Sequence, residues 1–113
     1  MINWSPLTQQ DQIQTIIEES KQAPVIIFKH STSCSISATA KARLERQWDD
    51  AGLENVKPYY LDLLSYRSVS NAIAETFAIM HQSPQLLLIK DGECLYDASH
   101  MGIRLDEVKK QVA

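Results

Sequence analysis

The sequence predicts an α/β fold, a four-stranded mixed sheet flanked by helices in the order α-β-α-β-α-β-β-α. Three observations carry that expectation. Stripes of apolar residues at helical spacing alternate with short apolar runs through the first two thirds of the chain. The last third holds two strand-like runs joined by Asp91-Gly92, a hairpin signal. At 113 residues the chain, 1–113, is one domain, long enough for a single core without disulfide or metal staples.

Taken in order, residues 8 to 21 carry Ile13, Ile16 and Ile17 among polar neighbours, a helix opened by Thr8 and closed before Pro24. Val25 to Lys29 reads as a buried strand. From Ser35 to Asp50, Ile36, Ala40, Leu44 and Trp48 recur every fourth position, the inner face of a long helix that stops at Gly52. Val56 to Asp62 is strand-like, with Tyr59 and Leu61 on one side and Tyr60 on the other. Val69, Ala72, Ile73, Phe77 and Met80 share one face of a further helix. Leu86 to Ile89 and Cys94 to Asp97 are short strands separated by Lys90-Asp91-Gly92-Glu93, and a last helix from about Arg104 turns Leu105, Val108 and Val112 inward. Two strands joined by a helical crossover run parallel, whereas the last two pair antiparallel. That is the thioredoxin-like arrangement.

The totals exclude several classes. A net charge of -3 without any basic run speaks against a general nucleic-acid binder or a protein drawn to anionic membranes. The start, MINWSPLTQQDQIQ, lacks the basic and apolar regions of a signal peptide, and the longest unbroken apolar runs are four residues. Two cysteines 60 positions apart make neither a disulfide framework nor a zinc knuckle. A reducing cytoplasm is the expected location.

Chemistry concentrates in His30 to Ser37, HSTSCSIS, where the first predicted strand gives way to a helix. Free backbone N–H groups and the positive helix end favour thiolate at such a junction. The neighbours Ser31, Thr32, Ser33, Ser35 and Ser37 form a polar loop and helix start, which sets Cys34 apart from a buried structural thiol. Three positions on, where a dithiol enzyme carries its second cysteine, stands Ser37, suited to donate a hydroxyl to the thiolate or to cap the helix start. Alternation along the strand aims Lys29 and His30 to opposite faces, so only one of them faces the site. Cys94 reads as a packed strand thiol; the alternative, a resolving cysteine for Cys34, is disfavoured because the distal end of the hairpin lies away from the strand end that bears Cys34. A carrier with one sulfur depends on that sulfur leaving its own mixed disulfide when a small thiol attacks, and low-pKa thiols leave faster.

The segment FKHSTSCSISATA resembles the active-site segment of the monothiol bacilliredoxin family, small thioredoxin-like proteins of bacteria that use the low-molecular-weight thiol bacillithiol. Better-known members have proline after the cysteine, where this chain has Ser35. YYLDLLSYRSVSNAIAETF, HQSPQLLLIKDGE and YDASHMGI also look like the family's pattern, so the resemblance spans nearly the whole chain. It implies Cys34 as nucleophile with Ser37 beside it, and Ser83-Pro84 as the cis-proline turn facing the cysteine. A Ser-Pro bond adopts cis more cheaply than other peptide bonds. His30, Ser33, Ser35, Ser83, Pro84, Ser99 and His100 are then the residues expected to bind thiol or substrate, with His81 and His100 flanking the place of a ligand's carboxylates. The implied activity is removal of bacillithiol from mixed disulfides with protein cysteines, by a monomer with bacillithiol as co-substrate and no bound cofactor.

Two other classes fit parts of the pattern. One is an iron–sulfur cluster carrier of the monothiol glutaredoxin type, whose CGFS differs from CSIS here; the other is a thioredoxin-like binding module that holds partners at Ser83-Pro84 without turnover. A metal site built from His30, Cys34, His81, Cys94 and His100 lacks any local ligand pair, and none is expected.

Overall fold

The computed structural model describes residues 2–112. Its elements are β1 (Ser5–Pro6), α1 (Gln12–Ser20), β2 (Val25–His30), α2 (Ser35–Gln47), β3 (Lys57–Asp62), α3 (Arg67–Phe77), β4 (Gln85–Lys90), β5 (Glu93–Ser99), a 3-10 turn (His100–Gly102) and α4 (Leu105–Val112). The strands form one mixed sheet in the order β1-β3-β2-β4-β5, with β2 parallel to β3 and antiparallel to β4, and β4 antiparallel to β5.

The sequence expectation of four strands is short by one. Ser5–Pro6 adds a two-residue strand parallel to β3 at the sheet edge, too brief to leave a period-two pattern and placed where proline is tolerated. The first helix starts at Gln12 rather than Thr8, because the Gln12 side-chain oxygen accepts the N–H groups of Thr8 and Gln9 and holds 8–11 as a turn. Met80 does not share the inner face of α3. Ala78 ends that helix in the left-handed conformation, φ 55°, and Met80 lies beyond it, 81% exposed. The Asp91-Gly92 turn has positive φ at both residues, 53° and 78°, the pair a tight two-residue hairpin requires.

Alternation along the strands divides the core. Ile26 and Phe28 of β2 join Leu86 and Leu88 of β4 under α2 and α4, where Ala40, Leu44, Leu105 and Val108 pack. Val25 and Ile27 face the other way with Leu87 and Ile89, beneath Ile13 and Ile16 of α1 and Val69, Ile73 and Phe77 of α3. Central position buries all six residues of β2, and its last two are Lys29 and His30.

Lys29 follows Ile27 toward α3. It is fully buried, and its ammonium donates to the Ser70 carbonyl at 3.2 Å and lies 3.4 Å from His81 Nδ1. Burial pushes its pKa down from 10.5 to about 8, since a desolvated ammonium loses hydration that two neutral acceptors do not replace. The unfolded chain therefore binds more protons than the folded one from pH 8 up to the ordinary lysine value, and Lys29 opposes folding most strongly below that window. Lys29→Met should be more stable than wild type at pH 7, by on the order of 2 kcal/mol. The advantage should shrink as pH rises from 8 toward 10. Urea titrations at several pH values check both; a destabilised variant at pH 7 would contradict the assignment.

Candidate functional site

β2 delivers the chain directly to its one helix-start cysteine. Cys34 is the residue preceding α2, in extended conformation (φ -108°, ψ 120°), half-buried, with its N–H donating to the Ser31 carbonyl at 3.2 Å and its C=O accepting from Ala38 at 3.1 Å. Thr32, Ser33, Ser35 and Ile36 around it are exposed, so the thiol stands where a partner sulfur can approach. Ser33 Oγ bonds Ser31 Oγ at 3.2 Å, and the Ser35 carbonyl accepts from Thr39 Oγ1 at 3.0 Å.

Ser37 is fully buried, and its hydroxyl turns inward. The Ser31 N–H donates to it at 3.0 Å, and it is hydrogen-bonded to His30 Nδ1 at 2.6 Å. Both bonds tie the loop ahead of Cys34 to the first turn of α2. The hydroxyl is thus a loop anchor in this geometry, in place of the thiolate donor that spacing alone allows; nor does it cap the helix start. His30 lies on the α2 side of the sheet, opposite Lys29 as alternation requires, with its ring stacked 5.9 Å from Phe28 and tilted 5.6 Å from Tyr60. Burial, with Lys41 adding its positive charge, holds this imidazole below the ordinary histidine range. The ring is only 6% exposed, so it supports the loop from below.

The strand register brings the remaining expected residues to the same end of the sheet. Lys29 pairs with Gln85, and the cis Ser83-Pro84 bond comes immediately before it, beside the segment that leads to Cys34. Gln85 pairs in turn with Ser99, and the His100 N–H donates to the Pro84 carbonyl at 3.1 Å. His100 is exposed. His81 turns inward and is half-buried, its Nδ1 3.4 Å from both Lys29 Nζ and Ser70 Oγ; burial first, then Lys29 and Arg67, lower its pKa.

Cys94 belongs to the other end. It pairs with Ile89, which pairs with Val25, placing it about 17 Å along β2 from His30 at the usual rise per residue. Burial, with Asp97 adding, pushes its thiol up to about 11, and Sγ donates to the Tyr96 carbonyl at 3.4 Å. A thiol held protonated at neutral pH is a poor nucleophile. Among the described residues, no group of three or more His, Cys, Asp and Glu could hold a metal ion, and no helix is long and apolar enough to cross a membrane.

Sequence reading passed over Asp62. It pairs with His30 across β2 and β3, accepts Ser65 Oγ at 3.0 Å on one oxygen and leaves its other, Oδ1, buried without a partner. Ser83 Oγ and Gln85 Oε1 are orphaned in the same way. The strand-end position of Asp62, beside the loop that bears Cys34, was the available signal.

A mixed sheet between two pairs of helices, with one cysteine at the start of the helix after the central strand, defines a thioredoxin-fold thiol-disulfide oxidoreductase of the one-cysteine kind. The chain matches the family described as Monothiol bacilliredoxin BrxC over residues 5–108, and it belongs to that family. It is similar to a solved structure described as a candidate oxidoreductase with a thioredoxin fold, at 29% identity and TM-score 0.79 over 94% of this chain and 90% of the other. The thioredoxins of Malassezia sympodialis (15% identity, TM-score 0.73, 99% and 90% covered) and Fasciola hepatica (15%, 0.69, 95% and 94%) share the fold.

Ser37→Ala leaves the Ser31 N–H and His30 Nδ1 buried without this partner, a loss expected to cost about 1–3 kcal/mol. Faster amide exchange at Ser31 should accompany it. Unchanged stability and unchanged exchange at Ser31 would remove Ser37 as the anchor.

Proposed function

We propose that this protein removes bacillithiol from mixed disulfides with protein cysteines, with Cys34 as its only working sulfur. The observation that carries the proposal is the absence of an internal resolver near Cys34. The residue one helical turn on is a buried serine committed to His30 and Ser31, and the second cysteine lies at the opposite end of the sheet. A small external thiol must therefore complete the cycle.

The Cys34 thiolate attacks the bacillithiol sulfur of the mixed disulfide; that S–S bond breaks, and the client leaves as thiolate. Cys34 now holds bacillithiol. A second bacillithiol thiolate attacks the bound bacillithiol sulfur, forming bacillithiol disulfide and returning Cys34 as thiolate. Each step exchanges one S–S bond for another. Net, one external bacillithiol is consumed: it leaves as bacillithiol disulfide together with the bacillithiol taken from the client, the client is returned as thiolate, and no bound cofactor is required.

Ser33 and Ser35 beside Cys34, the Ser83-Pro84 turn, and Ser99 and His100 beyond it are the groups proposed to position thiol and client. Ser37 and His30 shape the loop from beneath. Protein clients, rather than small disulfides alone, are supported by the surroundings: Ile36, Leu64, Tyr66, Met80 and Met101 are exposed, and all belong to segments at the Cys34 end of the sheet. Exposed apolar side chains at the end of the sheet that bears Cys34 suit a polypeptide partner. A reducing cytoplasm is the setting that suits such chemistry.

Cys34→Ser should reduce turnover of a bacillithiolated peptide, with excess bacillithiol, to the uncatalysed background, while Cys94→Ser retains most of the wild-type rate. Equal loss in both variants, each still folded, would contradict the one-sulfur cycle and restore a disulfide between the two cysteines.

A further inference from the structure

The strongest feature outside the site is a cleft of about 810 Å³ between α2 and α4, and its charge runs against that of the chain. Four of the chain's 11 Lys and Arg residues line it (Arg43, Arg46, Arg104 and Lys109), against two of its 14 Asp and Glu, Asp50 and Asp106. Arg104 is spent on Asp106, with bonds of 3.2 and 3.0 Å. No ion pair with a carboxylate is present for Arg43, Arg46 or Lys109 among the described residues. Three cations in an open cleft with no carboxylate partner among the described residues make a positive recess on an otherwise acidic protein, the arrangement that attracts an anionic ligand.

The recess is also joined to the reacting end of the fold. Arg43 and Arg46 stand one turn apart on the helix that Cys34 begins, and the Arg43 guanidinium reaches the sulfur of Met101 at 4.0 Å, next to His100. From Cys34 to Arg43 is nine residues along α2, about 13 Å at the helical rise. An extended polypeptide covers that distance in about four residues.

We infer that the cleft is a docking groove for an acidic segment of the client polypeptide, seated on Arg43, Arg46 and Lys109 about four to five residues from the client cysteine. This rests on the thiol-exchange reading and names the clients it favours: proteins with Glu or Asp close to the modified cysteine. The spread of cations over two helices suits a peptide segment better than the single dicarboxylate of a small thiol.

Two synthetic peptides test it, each carrying one cysteine as a mixed disulfide with thionitrobenzoate and differing only in Glu or Gln at the fourth and fifth positions on either side. Because thionitrobenzoate is a far better leaving group than the peptide thiolate, Cys34 attacks the peptide sulfur of this probe, not the small-thiol sulfur it attacks in the cycle, and releases coloured thionitrobenzoate in a single turnover without bacillithiol. At low ionic strength the Glu peptide should react about tenfold faster than the Gln peptide, and the ratio should fall toward one in about 1 M salt. Arg43→Gln/Arg46→Gln should lose the preference while reacting normally with the Gln peptide, and Lys109→Gln, on the opposite wall, should lose part of it. Equal wild-type rates, or a preference that survives the double substitution, would overturn the groove. So would a double variant whose only defect is in release of Cys34 by bacillithiol, since the cations would then serve the small thiol's carboxylates. No release from either peptide would instead strike the thiol-exchange reading itself, and the groove with it.

Discussion

Complete burial of the central strand is the constraint on which the rest of the molecule depends. β2 is covered by α2 and α4 on one face and by α1 and α3 on the other, and it is paired along both edges. A strand so held cannot shift register without exposing its apolar set. Its C-terminal end is therefore a fixed platform, from which three residues, Ser31, Thr32 and Ser33, lead to Cys34. The two polar residues at that end are drawn into opposite layers, Lys29 toward Ser70 and His81 and His30 toward Ser37. Each supports a different wall of the site. His30 and Ser37 hold the loop before the nucleophile, while Lys29 meets His81 in the segment that runs into Ser83-Pro84.

This placement explains how a fold associated with paired cysteines works with one. The resolver position on α2 is occupied by a side chain whose oxygen has become part of the scaffold. Cys94 cannot substitute, because the antiparallel hairpin carries it to the far end of β4 and burial keeps it protonated. The exchange surface around Cys34 is left open to external thiols. The apolar rim and the basic cleft along α2 are the two places proposed to hold a polypeptide, one close to the sulfur and one about four to five residues away.

Most of the fold was legible in the sequence because the elements are regular: recurrence at Ala40, Leu44 and Trp48 marked α2, although Ile36, expected on the same inner face, is exposed at the helix start, and Asp91-Gly92 marked the hairpin. Cys34 was legible from its polar neighbours at a strand-to-helix junction, and Ser83-Pro84 from the resemblance together with the ease of cis at proline. Other features depended on contacts between distant segments. β1 is two residues that become a strand only against Tyr59 and Tyr60. Met80 kept the helical period after the helix had ended. The spacing of Ser37 from Cys34 suggested a thiolate donor, but the Ser31 N–H and the His30 ring, six and seven residues upstream, claim the hydroxyl. Arg43, Arg46 and Lys109 are scattered in sequence and form a recess only when α4 returns beside α2.

The central claim is that one sulfur carries the exchange and a small thiol resets it. Intact-mass measurement of the reduced protein during reaction with a bacillithiolated peptide, followed by peptide mapping, tests this most directly. The account predicts a transient single bacillithiol adduct confined to Cys34, cleared when further bacillithiol is added, with the reduced peptide released in step. A protein that instead loses two hydrogens through a Cys34–Cys94 disulfide, or that frees the peptide without carrying the adduct, would contradict it.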